Sequence, residues 1–461
     1  MKGFIQTLKN IWSIEELRKK LLFTFGVIIV YRFGTHVPLP AINIAKVEDI
    51  LASYAQSGGH QQASGLLGLL SSFTGGAFKR ASVFALGIMP YISASIVVQL
   101  MGLAIPYIKK LQSEGESGRK TVNQITRWLT ILICLIQAPV YLTSITQVFL
   151  PVEQFGAAYL VDTNSIWLFW IPSIVILVAG TLFAMWMGEK ITDKGIGNGI
   201  SILIMVGILA GFPEAFMQEI GVQTGGEGRG LFLIFLEVIA WLLVIVLSIM
   251  LTVAVRKVPV QYVSRTKQGS LRSMTHAARQ YIPLKVNAAG VMPIIFAQAL
   301  MFIPGLLARS ESTNNAFWAG FGQVFSWQYN LLFAILIIVF TFLYTAITIP
   351  VNQMADDLKR NGGLIPRVRP GQETAEYLDN VLSRITFPGS IFLALIAVLP
   401  AIVKIIGLTA TDNFALFFGG TSLLIMVGVL LDTVQQINTY LLNHHYDGLM
   451  QSRLSRNPNA H

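Results

Sequence analysis

Few residues in this chain have the type and spacing that bond-making chemistry needs. The one cysteine, Cys134, lies in an apolar stretch and can build neither a disulfide framework nor a thiolate metal cluster. Six histidines (His36, His60, His276, His444, His445 and His461) show none of the helical spacing, such as HExxH, that sets two imidazoles on one zinc ion. His444 and His445 are neighbours near the tail, which suits solvated side chains. The stretch "GGEGRG" lacks the GxxxxGK[ST] spacing that cradles phosphate. The glycine-rich "KGIGNGISI" (194–202) follows no strand and lacks dinucleotide spacing. Its plainer reading is a loop feeding a helix, with Asn198 or Ser201 near the cap. No catalytic residue, cofactor site or metal site is expected, so the chain reads as something other than an enzyme.

The elements that carry these residues are written in apolar blocks. Of 461 residues, 54% are hydrophobic and only 12% charged, about half the charge of an average soluble domain. Such a chain needs no water-soluble core, because lipid solvates its apolar surface and its helices satisfy their own backbone groups. Runs near the ~20 residues that cross a bilayer predict ten crossings: Leu21–Val37, Ala81–Ile108, Trp128–Phe149, Ile166–Gly188, Ile200–Phe216, Leu231–Val255, Val286–Leu307, Leu331–Ile349, Ile385–Ile406 and Phe414–Ile437. A shorter piece, "GLLGLLSSFTGGAF" (65–78), reads as re-entrant or half-inserted. Before the first crossing, Ile5, Leu8, Ile11, Trp12 and Ile14 recur at helical spacing among lysines and arginines, which predicts an amphipathic surface helix.

Charge then assigns sides. An even number of crossings puts both termini on one face, and 26 Lys/Arg residues fall on that face against six on the other. Cytoplasmic loops carry the lysine and arginine excess, so both termini are expected in the cytoplasm. The net charge of +10 is therefore a topology signal first. The sixth and eighth loops, about 30 residues each, are longer than connectors need to be and also suit docking of an acidic partner or ribosomal RNA. Five crossings followed by five more would invert the second half relative to the first, joined by the soft stretch "GVQTGGEGRG" (221–230).

Inside the crossings, Pro90, Pro172 and Pro293 are expected to interrupt helices, with "ISAS" and "GGTS" offering small and hydroxyl residues nearby. The crossings are expected to lack buried carboxylates, the nearest acids being Glu189 and Asp432 near helix ends. Arg32 is expected to snorkel to the outer interface. Three readings stay open at this level: a passive channel, a secondary transporter for a small solute, and a receptor or scaffold bundle. Missing buried charge weighs against the transporter.

Six stretches are more specific. "RASVFALGIMPYISASIVVQL" (80–100), "EGESGRK" (114–120), "GIGNGISI" (195–202), "PLKVNAAGVMPIIFA" (283–297), "IPRVRPGQETAEYLD" (365–379) and "FGGTSLLI" (418–425) resemble motifs of the SecY family, in order along the chain. That family forms the channel subunit of the bacterial protein-export translocase. The resemblance implies an all-α polytopic membrane protein, its ten transmembrane helices forming two inverted five-helix halves, a clamshell around a central hourglass pore with a short plug helix. The expected layout is a cytoplasmic arm (1–20), an N-terminal half (21–216) with the plug at about 65–76, an exterior hinge (217–230), a C-terminal half (231–437) with cytoplasmic loops at about 256–285 and 351–384, and a cytoplasmic tail (438–461).

Carried over motif by motif, the resemblance places a pore ring at Ile88, Ile92, Ile200, Ile204, Ile295 and Ile425. Ile88/Ile92 and Ile200/Ile204 are i, i+4 pairs, each projecting from one helix face, and a ring of branched apolar side chains excludes ions when nothing fills it. The implied lateral gate lies between the second and third crossings and the seventh and eighth, with Ser93, Gln137 and Gln298 as candidate polar contacts. Arg369 matches the family's docking arginine, and Arg256, Lys257, Arg265 and Lys267 resemble further basic contacts. The implied partners are SecE and SecG in a heterotrimer, the SecA ATPase or the ribosome as driver, signal sequences and unfolded preproteins as cargo, SecD/SecF and YidC, and anionic lipids, all at the bacterial plasma membrane. The chain departs from the family around Gln353 in "VNQMADD", where Pro-x-Glu is common, and at Arg367, where glycine is usual.

Overall fold

The structure, a computed structural model, describes residues 12–43, 46–47, 74–78, 80–146, 156–163, 165–225, 230–262, 280–307 and 320–456. The arm before residue 12 and most of the plug expected at 65–76 lie outside the described residues. By its internal contacts the chain divides into two compact units, one of residues 1–218 with 429–461 and one of residues 219–428.

The first unit opens with α1 (Glu15–Gly34), which runs without a break from the end of the arm through all but the last three residues of the first predicted crossing. It is followed by α2 (Met89–Ala104), α3 (Pro106–Ser113) and α4 (Glu116–Ser144). A π turn (Ile166–Trp170) leads into α5 (Ile171–Lys194), and α6 (Gly199–Thr224) closes the series. Helices α2, α4 and α5 pack in sequence, and α1 packs on α5. Their shared core holds Leu39, Phe78, Leu86, Tyr141, Leu142, Phe169 and Leu177. The connection after α1 is tied in by backbone bonds from Leu39 N to Ala81 O (2.8 Å) and Val83 N to Val37 O (2.9 Å). The Tyr141 hydroxyl adds a bond to Phe78 O (2.8 Å).

The second unit takes α7 (Leu231–Val253), β1 (Val255–Tyr262), β2 (Gln280–Lys285), α8 (Met292–Leu307), α9 (Trp327–Thr348), α10 (Val351–Arg360), β3 (Gly363–Leu364), α11 (Gln372–Ile406) and the short α12 (Asp412–Ala415). The long α13 (Gly420–Arg456) begins in it and ends in the first unit. Helix α9 packs against both α8 and α11.

Seven of the described helices are long and apolar enough to cross a membrane, and an eighth counts if α2 and α3 form one bent span. Their apolar faces point outward: on α7, Phe232, Phe235, Leu243 and Met250 are all exposed. In water such a surface would aggregate; in lipid it is solvated. The other two predicted crossings are also helical, but α1 carries six charged residues and α8 is short.

The proline expectation is corrected at two of its three places. Pro172 stands where the π turn passes into α5, within one helical run (Ile166–Lys194), whereas Pro90 and Pro293 do not interrupt helices; each stands in the first turn of one, α2 and α8 respectively. There the missing N–H has no intrahelical partner to lose, and the fixed φ suits the first turn. The second crossing is instead broken at Ile105–Pro106, where its two helices meet at 106°. The prolines that do lie inside helices are Pro139, Pro213, Pro304, Pro388 and Pro400.

The two long basic loops, longer than connectors need to be, fold together. Strand β1 pairs antiparallel with both β2 and β3, in the order β2-β1-β3. Along β1 the side chains alternate, with Val258 and Val260 buried and Lys257, Pro259 and Gln261 exposed. The buried face meets Leu284, Leu358, Ile365, Leu378 and Leu382 in a small core of its own.

Close packing in the first unit depends on Gly180. A Cβ there would run into the carbonyl oxygen of Val83, in the turns that lead to α2. Gly180→Val is therefore expected to cost about 1–3 kcal/mol through overpacking, read as a lower melting temperature of the detergent-solubilised protein. A melting temperature equal to the parent's would show that the turn yields freely.

Candidate functional site

In the first unit the apolar pair Ile88/Ile92 is set by the start of α2. Gly87 takes φ +55°, the left-handed region open to glycine, and turns the chain beside Thr74. Ile88 follows as the residue before the helix, Pro90 fills the first turn, and the Ile92 N–H donates to Ile88 O (3.1 Å). The two side chains therefore stack one turn apart on one face.

Helix α6 presents Ile200 and Ile204, and its first turn is held from several directions. Asn198 Oδ1 accepts from the N–H of Ile200 (3.2 Å) and of Ser201 (3.3 Å), so Asn198 is the cap. Thr192 Oγ1 accepts from Gly199 N (2.9 Å), Thr24 Oγ1 from Ile196 N (3.2 Å), and Gln436 Oε1 from Gly197 N (2.8 Å). Gly188 on α5 lets Ile200 approach so closely that a Cβ on it would lie 2.9 Å from Ile200 Cγ1. With the backbone so fixed, Ile204 meets Ile88 and Ile92 at one small apolar cleft, further lined by Tyr31, Thr74, Gly87 and Met89. Three of the six predicted ring residues thus share one cavity, and Ile200 stands half-buried one turn before Ile204.

The other two ring candidates belong to the second unit. Ile295 is half-buried on α8, and Ile425 is buried in the second turn of α13. Both helices are drawn together by Gly428, one turn beyond Ile425, where a Cβ would lie 2.6 Å from Val291 Cγ2. Gly420, at φ +62°, starts α13 against Pro400 of α11.

The gate candidates are less alike than their spacing suggests. The Ser93 hydroxyl donates to Met89 O (3.2 Å), within its own helix. Gln137 is half-buried on α4, and Gln298 is buried on α8. Of the docking candidates, Arg256 and Lys257 are exposed on β1 opposite Leu284 and Pro283. Arg265 and Lys267 lie outside the described residues. Arg369 projects with 87% of its side chain exposed; its backbone N–H and guanidinium both reach Glu373, and its carbonyl accepts from Thr374 Oγ1 (2.8 Å). Two residues earlier Arg367 adopts φ +70°, a left-handed conformation that costs an L residue ~1–2 kcal/mol. That is the physical reason glycine suits this place.

Two expectations about charge are corrected. The crossings do hold buried carboxylates: Glu219 and Glu237 are each 1% exposed, with Gln223 between them at 3%. Glu219 lies past the predicted end of its crossing, because α6 continues eight residues further, to Thr224. Glu237 was legible as the lone charge within 231–255. Arg32 does not snorkel outward: its Nη1 is buried beside Gly75, with no partner among the described residues.

Comparison with known proteins follows the same lines. A family model described as SecY matches residues 82–434. The Protein translocase subunit SecY of Streptomyces galbus is 40% identical over 445 residues, covering 95% of this chain and 97% of that protein. The Mycobacterium tuberculosis subunit of the same name is 40% identical over 464 residues (98% and 100% covered), and that of Vibrio cholerae 37% over 452 residues (95% of each). Among solved structures, one described as the structure of a protein conducting channel aligns over 92% of both chains with a TM-score of 0.62 at 16% identity. Sec61 in the canine ribosome-channel complex aligns over 92% of both at 0.59 and 15%.

The cap on α6 can be weighed directly. Asn198→Ala is expected to cost about 1 kcal/mol and to raise amide exchange in residues 199–202, while Asn198→Asp keeps the protection. Equal exchange in Asn198→Ala and the parent would mean the other three bonds hold the turn without the cap.

Proposed function

The chain belongs to the SecY family, and on that premise we propose how its residues share the work of a translocon. It is a protein-conducting channel subunit, a multi-span membrane protein and not an enzyme. The finer assignments that follow are carried by one observation: three branched side chains from two helices, Ile88, Ile92 and Ile204, meet at a single apolar cleft.

In this reading Ile88, Ile92, Ile200, Ile204, Ile295 and Ile425 form the waist of the pore. An ion crossing such a ring would shed its hydration shell and find no oxygen to replace it, so the empty ring holds a seal. A translocating chain fills the ring instead, and methyl groups with no directional bonds adapt to whichever side chain passes. The segment at about 65–76 is the plug, and the seam between the second and third crossings and the seventh and eighth is the lateral gate, with Ser93, Gln137 and Gln298 along it. The boundaries 1–20, 21–216, 217–230, 231–437 and 438–461 delimit arm, N-terminal half, hinge, C-terminal half and tail.

The folded basic loops are the docking face for a motor or ribosome. Arg256 and Lys257 on β1 and Arg369 beside β3 are exposed side chains on an element stiffened by its own core, which supports the role; Arg265 and Lys267 extend it. The driver is SecA or the translating ribosome, with SecE and SecG as companion subunits. SecD/SecF and YidC act alongside, and anionic lipids meet the basic face. The membrane is the bacterial plasma membrane, with both termini in the cytoplasm, as the lysine and arginine bias supports.

Ile88→Asn and Ile425→Asn, made separately and reconstituted into planar bilayers, are expected to raise resting ion conductance, because an amide offers water a partner inside the ring. Unchanged conductance in both would remove these residues from the pore. Arg369→Glu is expected to abolish motor-driven export in vesicles while the chain still inserts into the membrane; export at the parent's rate would refute the docking role. A stalled secretory precursor should crosslink to cysteines placed at Ile92 and Ile204, against a quiet background because Cys134 is buried.

A further inference from the structure

The buried carboxylates have no part in an apolar seal, yet Glu219 alone accepts four hydrogen bonds among the described residues. Glu219 accepts from Gln223 Nε2 (3.2 Å), from the backbone N–H of Ala410 (2.7 Å) and Thr411 (2.8 Å), and from the Thr411 hydroxyl. Glu237 accepts from the same Gln223 nitrogen (3.1 Å). One amide therefore bridges two carboxyl groups that are almost wholly shielded from solvent.

The cations around them are already engaged. On α11, Lys404 pairs with Asp412 of α12 (2.6 Å) and donates to Ala410 O (3.1 Å). Helix α7 brings no charged residue other than Glu237, and on α6 Glu214 is exposed. Arg229 lies outside the described residues. Among the described residues neither Glu219 nor Glu237 has an ion pair. Two like charges within reach of one amide, in a dry setting, cannot both persist; such a pair holds a proton. The donors decide which partner keeps the charge. Glu219 accepts from four N–H and O–H donors and Glu237 from one, so the proton of the pair sits on Glu237.

We propose that Glu219, Gln223 and Glu237 form a proton-holding tie that fastens the connection between α11 and α12 (407–411) to the end of α6 and the start of α7. All its members lie in the second unit, which begins at Glu219. When the Glu237 O–H bond breaks and its proton leaves to water or hydroxide, two carboxylates face one amide and repel. Glu237 must then move away or draw water in, and the grip on residues 410–411 loosens. Glu237→Gln keeps the shape and removes the proton, so it makes the tie permanent.

The test uses the full chain in lipid nanodiscs, with amide hydrogen exchange of the peptide spanning residues 408–412 followed from neutral to about pH 10 and corrected for intrinsic base catalysis. The parent is expected to lose protection there by roughly tenfold, the weight of a hydrogen bond to a charged acceptor, while Glu237→Gln stays flat. Infrared spectra at neutral pH should show a solvent-shielded carboxylic-acid carbonyl band that Glu237→Gln removes. Glu219→Gln is expected to weaken protection of this peptide at every pH. A parent whose corrected exchange does not change with pH overturns the proposal even if the variants do not fold, as does an acid band that survives Glu237→Gln.

Discussion

Lipid offers no hydrogen bonds, so every backbone N–H and C=O at membrane depth must find its partner inside the protein. Two prolines meet this constraint directly: Pro90 and Pro293 stand in the first turns of helices, where an N–H has no intrahelical acceptor. The same constraint explains the hydroxyls: Ser93, Thr126, Thr130, Thr341 and Thr345 each donate to the carbonyl one turn earlier. In an apolar setting a hydroxyl bonded to its own helix is a solved problem, and an unbonded one costs far more than in water.

Once backbones are self-satisfied, close approach depends on size. Glycine sets the distances at the candidate pore: Gly188 admits Ile200, Gly180 admits the turn before α2, and Gly428 admits Val291. Each contact brings a helix carrying a proposed ring isoleucine against its neighbour, so the positions of apolar side chains are fixed by the residues that have none. The ring proposed here, which must seal around nothing and yet deform around a polypeptide, gains from this division: backbone proximity sets the scaffold, and contacts without direction make the proposed waist.

The basic loops follow the opposite rule, because they face water. There β1 alternates buried valine with exposed polar residues, and its strands close over a separate apolar core. The docking face proposed on this element takes its stiffness from Leu358, Leu378 and Leu382 of α10 and α11 packed beneath the strands. The strained Arg367 marks the tight turn through which β3 returns to α11, next to the exposed Arg369.

The sequence alone determined the elements whose cause is local. Apolar run length placed the crossings, the lysine and arginine bias supplied a topology, and "GNGIS" announced a capped helix with Asn198 or Ser201 near the cap, which the structure assigns to Asn198. Ordered motifs carried the family and, through it, the ring candidates. Only the tertiary structure decided matters that rest on partners distant in sequence. The bend at Ile105 rather than Pro90 depends on where a helix begins, which neighbouring turns set. The sheet joins loops about a hundred residues apart, beyond the reach of any periodicity. Glu219 reads as a polar residue past the end of a span until its partners at 410 and 411, 191 and 192 positions away, come into view. A carboxylate's environment is a sum over neighbours in space, and a one-dimensional pattern records only neighbours in the chain.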